Sequence, residues 1–285
     1  MRVLVTGAGG QLGADLVRTC DAAGDEVIAC DRARLDLTDR DSVYQAITST
    51  RPDAVIHAGA WTAVDACESD PERAFLTNGL GTGWVADACR RVGAHLVAVS
   101  TDYVFDGTKP DPYQEWDRPN PQSVYGRSKL AGEDAVTAQA PGAAIVRTAW
   151  VCGEHGHNMV KTVLSLAERP ELAFVDDQRG CPSFTADLAP MLRRLAVERR
   201  AGTHHVTNQG DTTWYGFVRD ILELAGHDPG KVRPIATTDL DPPRPAPRPA
   251  NSVLDNAALR LGGLPMLPHY RDGLERLLRD LGALA

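Results

Sequence analysis

Short apolar runs alternate with longer stretches of helical spacing through the first half of the chain. Arg2–Thr6, Glu26–Cys30, Ala54–His57, Leu96–Ser100 and Ala144–Arg147 read as strands. Each is brief, largely apolar and closed by a polar or glycine-bearing turn. Most are followed by a helical pattern, and that alternation predicts a parallel sheet with crossover helices. Strands with so little polar alternation suit a sheet covered on both faces.

The expected fold class is α/β: a Rossmann-type doubly wound parallel sheet with a smaller, mostly C-terminal substrate-binding lobe. Residues 1–150 would form the dinucleotide-binding domain. Residues 151–285 would form mainly the second lobe, with room for the chain to return to the first. Beyond residue 150 proline and arginine become frequent, and the helical patterns Ala186–Arg199, Tyr215–Ala225 and Tyr270–Leu281 dominate. Pro242-Pro243-Arg244-Pro245-Ala246-Pro247-Arg248-Pro249 cannot be helix interior or central strand. It reads as a stiff loop packed along the second lobe, in preference to a polyproline ligand.

Composition narrows the function. The 285 residues carry a net charge of −8 and no dense basic run, which argues against nucleic acid or an anionic membrane as the main partner. A nucleotide's phosphates would have to be held locally. The six cysteines form no Cys-x-x-Cys pair, and several sit in apolar runs, so reduced, structural thiols are expected. The chain opens on a strand pattern with no secretory leader, and no apolar run approaches the ~20 residues of a membrane span. The expected location is the cytoplasm.

Gly7, Gly10 and Gly13 lie between the first strand and a helix beginning near Gln11, with Gly9 as a further small residue. In such a turn glycine lets the main chain approach a pyrophosphate, and the helix N-terminus offers free N–H groups. The spacing is Gly-x-x-Gly-x-x-Gly, not the Gly-x-Gly-x-x-Gly form, but its place after the first strand points to a dinucleotide. Asp31 closes the second strand, where a carboxylate can hold the adenosine ribose hydroxyls and favour NAD(H). Arg32 follows and could pair with a 2′-phosphate, so NADH and NADPH both remain open.

The reaction chemistry is carried by Tyr125 and Lys129, four residues apart on a helix predicted over 123–135 and therefore on one face. A nearby ammonium is expected to pull the phenol below its usual pKa of about 10, readying it to protonate a carbonyl as hydride arrives. Thr101 ends the fourth strand, where open α/β sheets place their crevice, and can hold the same carbonyl oxygen. Asp102 and Tyr103 share its turn.

Three segments carry a family resemblance: Thr6-Gly-Ala-Gly-Gly-Gln-Leu-Gly13, Ser100-Thr-Asp-Tyr-Val-Phe-Asp-Gly107 and Tyr125-Gly-Arg-Ser-Lys-Leu-Ala-Gly-Glu133. They resemble the extended short-chain dehydrogenase/reductases, and within them the dTDP-4-dehydrorhamnose reductases. Asp176-Asp-Gln-Arg-Gly-Cys-Pro182 and Arg248-Pro-Ala-Asn-Ser-Val-Leu-Asp255 look like that subgroup's downstream signatures, so the resemblance runs nearly end to end.

It implies NAD(P)H-dependent reduction of the C4 ketone of a dTDP-4-keto-6-deoxysugar, dTDP-4-dehydro-β-L-rhamnose, by a monomer or homodimer. By the same resemblance, Gly10, Gln11, Leu12, Asp31, Asp36, Leu37, Ala60, Trp61 and Thr62 line the cofactor. Thr101, Asp102 and Trp150 contact the sugar nucleotide, and Tyr125 and Lys129 do the chemistry. Arg248 is a candidate diphosphate ligand, since a guanidinium meets phosphate bidentately; a structural ion pair is its competing role.

Some relatives bind Mg2+ through three carboxylates. The counterparts here, Asp15, Asp187 and Asp280, are short and are expected to be solvated, so no metal is assigned. His155, His157, His204 and His205 lack partner ligands at useful spacing. The alternatives are a reductase of another dTDP-4-keto-6-deoxysugar, an epimerase of the same superfamily, and a non-catalytic dinucleotide-binding regulatory subunit.

Overall fold

The structure, a computed structural model, describes residues 1–285. Its first part runs β1 (Arg2–Thr6), α1 (Gln11–Ala22), β2 (Glu26–Cys30), α2 (Arg40–Thr50), β3 (Ala54–His57), α3 (Val64–Ser69) and α4 (Pro71–Ala74). A π-helical turn, Phe75–Leu80, leads into α5 (Gly81–Val92), β4 (His95–Thr101), α6 (Val124–Gln139) and β5 (Ala144–Thr148). The first three strands have the bounds read from the sequence. β4 gains a residue at each end, and β5 runs one residue further.

Neighbouring strands pair in parallel in the order β10-β5-β4-β3-β1-β2, where β10 is Gly202–His205. The order in which successive strands are laid down reverses beside β1, whose two neighbours are β2 and β3. Loops leaving β1 and β3 therefore diverge and open a crevice at their C-terminal ends. Successive residues face opposite sides of the sheet. Val3, Val5, Ile56, Val97 and Val146 pack toward α1, while Leu4, Val55, Leu96, Ala98 and Ile145 pack toward α2, α5 and α6. Both layers are apolar, which is why these strands lack polar alternation.

The second part contributes β6 (Val151–Cys152), α7 (Met159–Leu166), β7 (Leu172–Val175), β8 (Arg179–Gly180), β9 (Ser183–Phe184) and α8 (Thr185–Val197), followed by β10. Then come β11 (Thr212–Thr213), α9 (Trp214–Leu224), β12 (Val232–Ile235), α10 (Ala257–Leu261) and α11 (Tyr270–Asp280). The small sheets β6-β9, β8-β11 and β7-β12 surround a second core built on Phe184, Phe217, Ile221, Leu222, Leu274 and Leu278.

Residue 150 is not a one-way boundary. Helix α8 packs on α1, placing Leu188, Leu192 and Leu195 in the sheet's own core. These residues fall at i, i+4 and i+7, one apolar stripe. Strand β10 then pairs with β5. The proline-rich stretch also differs from expectation. Ala246 N donates to Asp65 of α3 at 3.1 Å, so the segment reaches back to the sheet domain instead of lying only along the second lobe.

Helix α6 sits in a crowded place. Ser123 caps it, accepting from Gly126 N at 3.1 Å. A Cβ on Gly126 would fall 2.2 Å from the Tyr103 carbonyl oxygen, and one on Gly132 would fall 2.4 Å from that of Asn78. Two glycines thus let α6 press against the turn after β4 and against the π-helical turn.

Candidate active site

One cleft of about 850 Å3 runs from the β1–α1 turn past the ends of β3, β4 and β5 to Trp150 and Trp214. Every expected site residue named below lines it except Arg248.

At one end Gly7 has φ +67°, a left-handed conformation, and a Cβ there would fall 2.8 Å from the Gly59 backbone. A Cβ on Gly13 would fall 2.0 Å from the Gly7 carbonyl oxygen. These positions require glycine. Gly10 caps α1 without any side-chain hydrogen bond to the first turn, which leaves that turn's N–H groups for an anion. The Gln11 side chain points elsewhere, donating to the His157 carbonyl and accepting from Asn158, both at 3.0 Å. Its backbone, with that of Leu12, is what faces the cradle.

Asp31 turns one carboxylate oxygen to Ala33 N and Arg34 N, each at 3.1 Å, leaving the other for a ribose. Arg32 is exposed beside it. Asp36 accepts from the backbone and hydroxyl of Thr38, bonds that hold its carboxyl below the ordinary range. Leu37 is buried and packs into the sheet core. The donor set fits a dinucleotide: a backbone cradle for its diphosphate and a carboxylate for its ribose.

The loop after β3 carries Ala60, Trp61 and Thr62. Trp61 is gripped by Asn78, which accepts from Trp61 N at 2.8 Å and donates to its carbonyl at 3.1 Å. Asn78 also donates to Ser128 Oγ at 3.0 Å, and Ser128 donates to the Tyr125 carbonyl at 2.8 Å. This buried asparagine, in the π-helical turn, links the loop after β3 to α6. Nothing in its sequence spacing announces it. The Arg73 guanidinium lies 4.4 Å from the Trp61 ring centroid.

Further along, Thr101 and Thr148 are opposed across β4 and β5. Thr101 Oγ1 donates to Asp102 at 3.0 Å and accepts from Tyr103 N at 3.2 Å. Tyr125 is almost fully enclosed. Burial pushes its phenol above the ordinary value, with the Thr101 hydroxyl acting the other way. The sequence reading expected the opposite direction from Lys129. Here Lys129 Nζ is itself buried and donates to the Val99 carbonyl at 2.8 Å. Loss of solvent outweighs any ammonium effect on the phenol, which keeps Tyr125 protonated.

Burial also lowers Lys129 to about 8, with Glu133 opposing. Glu133 is held by Arg147 through Nε at 3.0 Å and Nη2 at 2.7 Å, and by Ser100 Oγ at 2.5 Å. Lys129 itself ties α6 to β4 through its bond to Val99. His57, wholly buried on β3, is held by Thr6 and Thr82 and lowered to about 3 by burial. It is a neutral structural imidazole.

In the turn after β4, Asp102 is buried with one carboxylate oxygen unpartnered, and burial raises it to about 6. Trp150 stacks on Trp214, with ring centroids 3.5 Å apart and planes within 4°. Arg248 requires a correction. It lies outside the cleft lining, with Nη1 2.5 Å and Nη2 2.7 Å from the two oxygens of Asp65. The carboxylate supplies the bidentate partner foreseen as a diphosphate, and Asp65 is held down to about 2 by it.

Asp15 is paired with Arg18 at 2.5 Å and Asp187 with Arg276 at 2.5 Å. No group of three or more His, Cys, Asp or Glu is arranged to hold a metal ion. All six cysteines are buried thiols. No helix is long and apolar enough to cross a membrane.

A family model described as RmlD substrate binding domain matches residues 1–283. The chain belongs to the RmlD family. An RmlD-family relative from Streptomyces griseus, a dTDP-4-dehydrorhamnose reductase, is 45% identical over 280 residues, 96% of this chain and 91% of the relative. The crystal structure of a dTDP-4-dehydrorhamnose reductase from Clostridium acetobutylicum ATCC 824 matches with TM-score 0.95 at 41% identity, covering 99% of this chain and 100% of that one. A dTDP-4-dehydrorhamnose reductase from Bacillus anthracis str. Ames, solved in complex with NADP, matches with TM-score 0.94 at 38% identity, covering 98% and 99%.

Proposed function

We propose that this RmlD-family chain reduces the C4 ketone of dTDP-4-dehydro-β-L-rhamnose with NAD(P)H, giving dTDP-β-L-rhamnose. The observation that carries the reading is the convergence of Thr101, Tyr125 and Lys129 in one cleft, downstream of a glycine cradle that admits no Cβ. The bound dinucleotide supplies the hydride. Gly7, Gly10, Gln11 and Leu12 hold its diphosphate through backbone, and Asp31 and Arg32 meet the adenosine ribose. Asp36, Leu37, Ala60, Trp61 and Thr62 complete that wall.

Tyr125 holds the proton that the carbonyl oxygen takes as it becomes an alcohol. Its raised pKa keeps the phenol loaded until negative charge develops on that oxygen. Thr101 sits beside Tyr125 to orient the oxygen. The Lys129 ammonium stabilises the phenolate left behind. Asp102 and Trp150 face the hexose. Every residue in this scheme comes from one chain, so a monomer suffices and a homodimer is compatible. The proposed setting is the cytoplasm.

The test is to mix the protein with NADPH or NADH and the ketosugar nucleotide, following loss of reduced-nicotinamide absorbance and product configuration by NMR. Stoichiometric cofactor oxidation with formation of the rhamnose configuration supports the reading. Cofactor binding without oxidation would return the chain to a regulatory role, and interconversion without net oxidation would make it an epimerase.

A further inference from the structure

The Trp150 backbone has φ +46°, a left-handed conformation that a bulky side chain seldom adopts. Such a residue persists where its surroundings over-determine it. Here two supports are visible. Trp214 lies flat against the indole, 3.5 Å between centroids and 4° between planes. Gly180 crowds the same ring so closely that a Cβ would fall 2.4 Å from Trp150 Cε2.

Both supports arrive through one small sheet, in which Gly180 is opposite Thr212 and Arg179 is opposite Thr213. Thr213 caps α9 by accepting from Gly216 N at 3.0 Å, which makes Trp214 the helix's first residue. The cap fixes the Trp214 backbone, and the stack fixes Trp150. Both indoles line the cleft that holds Tyr125 and Thr101.

From this geometry we infer that Trp214 is a positioning residue of the sugar-nucleotide site, holding Trp150 as the aromatic wall against which the hexose lies. The inference rests on the reading that this cleft takes a dTDP-sugar. The ligand class is a 6-deoxyhexose, whose C–H surface and methyl group suit an aromatic wall. Neither indole belongs to the β1–α1 turn that forms the glycine cradle, so loss of the stack should weigh on the sugar far more than on the dinucleotide.

The experiment compares wild type, Trp214→Ala and Trp214→Phe in three measurements. Calorimetry with dTDP-glucose, which needs no turnover, and with NADPH gives the two affinities. Steady-state kinetics with the ketosugar gives KM and kcat. Far-ultraviolet circular dichroism reports the exciton coupling of stacked indoles. Trp214→Ala is expected to weaken dTDP-glucose binding and raise the sugar-nucleotide KM by at least ~10-fold, to change kcat less, and to leave NADPH affinity within ~2-fold. The couplet should vanish in both variants, while Trp214→Phe should recover most of the affinity because a flat ring remains. A Trp214→Ala protein that has lost the couplet yet binds dTDP-glucose as wild type does overturns the inference. Equal losses of NADPH and sugar affinity also overturn it, as general damage. A wild type that binds dTDP-glucose but reduces no ketosugar would sink the reductase reading and leave this one standing on its binding data.

Discussion

At the cofactor end of the cleft the walls are backbone: Gly7, Gly13 and Gly59 approach so closely that a Cβ on Gly7 or Gly13 has no room. At the other end the walls are side chains carried in from distant parts of the chain: Trp150 meets Trp214, and just outside the lining Arg248 meets Asp65 from 183 positions away. The first end is set mostly by one short glycine turn closed against Gly59, and its tolerance for change is small and local. The second depends on tertiary assembly, so it can be altered piecemeal. A shared cofactor with varied sugars calls for that division.

Tyr125 stands where the two ends meet, and its loss should have the largest effect. Tyr125→Phe is expected to lower kcat by ~10^2–10^4-fold while NADPH and dTDP-glucose affinities stay near wild type, as calorimetry would show. Retained turnover would place the proton source elsewhere. Next comes the backbone end: Gly13→Ala drives a methyl to 2.0 Å from the Gly7 carbonyl. NADPH affinity should fall by at least ~10-fold, about 1.4 kcal/mol, with dTDP-glucose binding far less changed. Equal losses at both ends would erase the contrast between them.

Lys129 sharpens it through pH. With its pKa near 8, the ammonium is lost as pH rises through that value, so kcat/KM should fall on the alkaline side of about 8. Lys129→Arg should shift that limb upward. The stability sign is separate. Between about 8 and the ordinary lysine value of 10.5 the unfolded chain binds a proton that the folded one has released. Burial of the charge therefore weighs on stability below that window and is relieved as pH rises across it. Lys129→Met should accordingly raise Tm more at neutral pH than at high pH.

The smallest effects are expected at the sugar end. Asp102 has its pKa raised from 3.8 to about 6, so the folded state holds a proton between those values that the unfolded chain releases. Stability is lost as pH rises through that window. Asp102→Asn should raise Tm near neutrality by ~2–4 °C, while its effect on sugar binding is read separately by calorimetry. Asp65→Ala frees Arg248 and should change the sugar-nucleotide KM by no more than ~10-fold, leaving NADPH affinity unchanged.

The strands and the cradle were legible because their causes are local. β1, β2 and β3 lie where the apolar runs lie, and the glycines sit between a strand and a helix. Thr101, Tyr125 and Lys129 were legible as candidates because strand end and helix face are short-range facts. Asn78 and Trp214 were not, since each acquires its role from a partner, Trp61 or Trp150, that no spacing links to it. Arg248 shows the converse: its chemistry was read correctly as bidentate, but sequence could not say which oxygens it would find. The pKa of Tyr125 failed for a related reason. Proximity of a cation is visible on a helical wheel, whereas the loss of water around a phenol is a property of the finished fold.

The return of α8 and β10 to the sheet has a practical consequence. The second lobe is no simple appendix, for the chain leaves β5, returns as α8 and β10 to lie beside it, and leaves again through β11 and α9. A fragment cut after residue 150 would bare the outer hydrogen-bonding edge of β5 and strip Leu188, Leu192 and Leu195 from the layer they cover. Such a piece should be sticky in solution instead of a minimal nucleotide-binding module. Grafting a new sugar pocket would therefore mean exchanging two segments, the one between β5 and α8 and the one beyond β10, with α8 and β10 kept native.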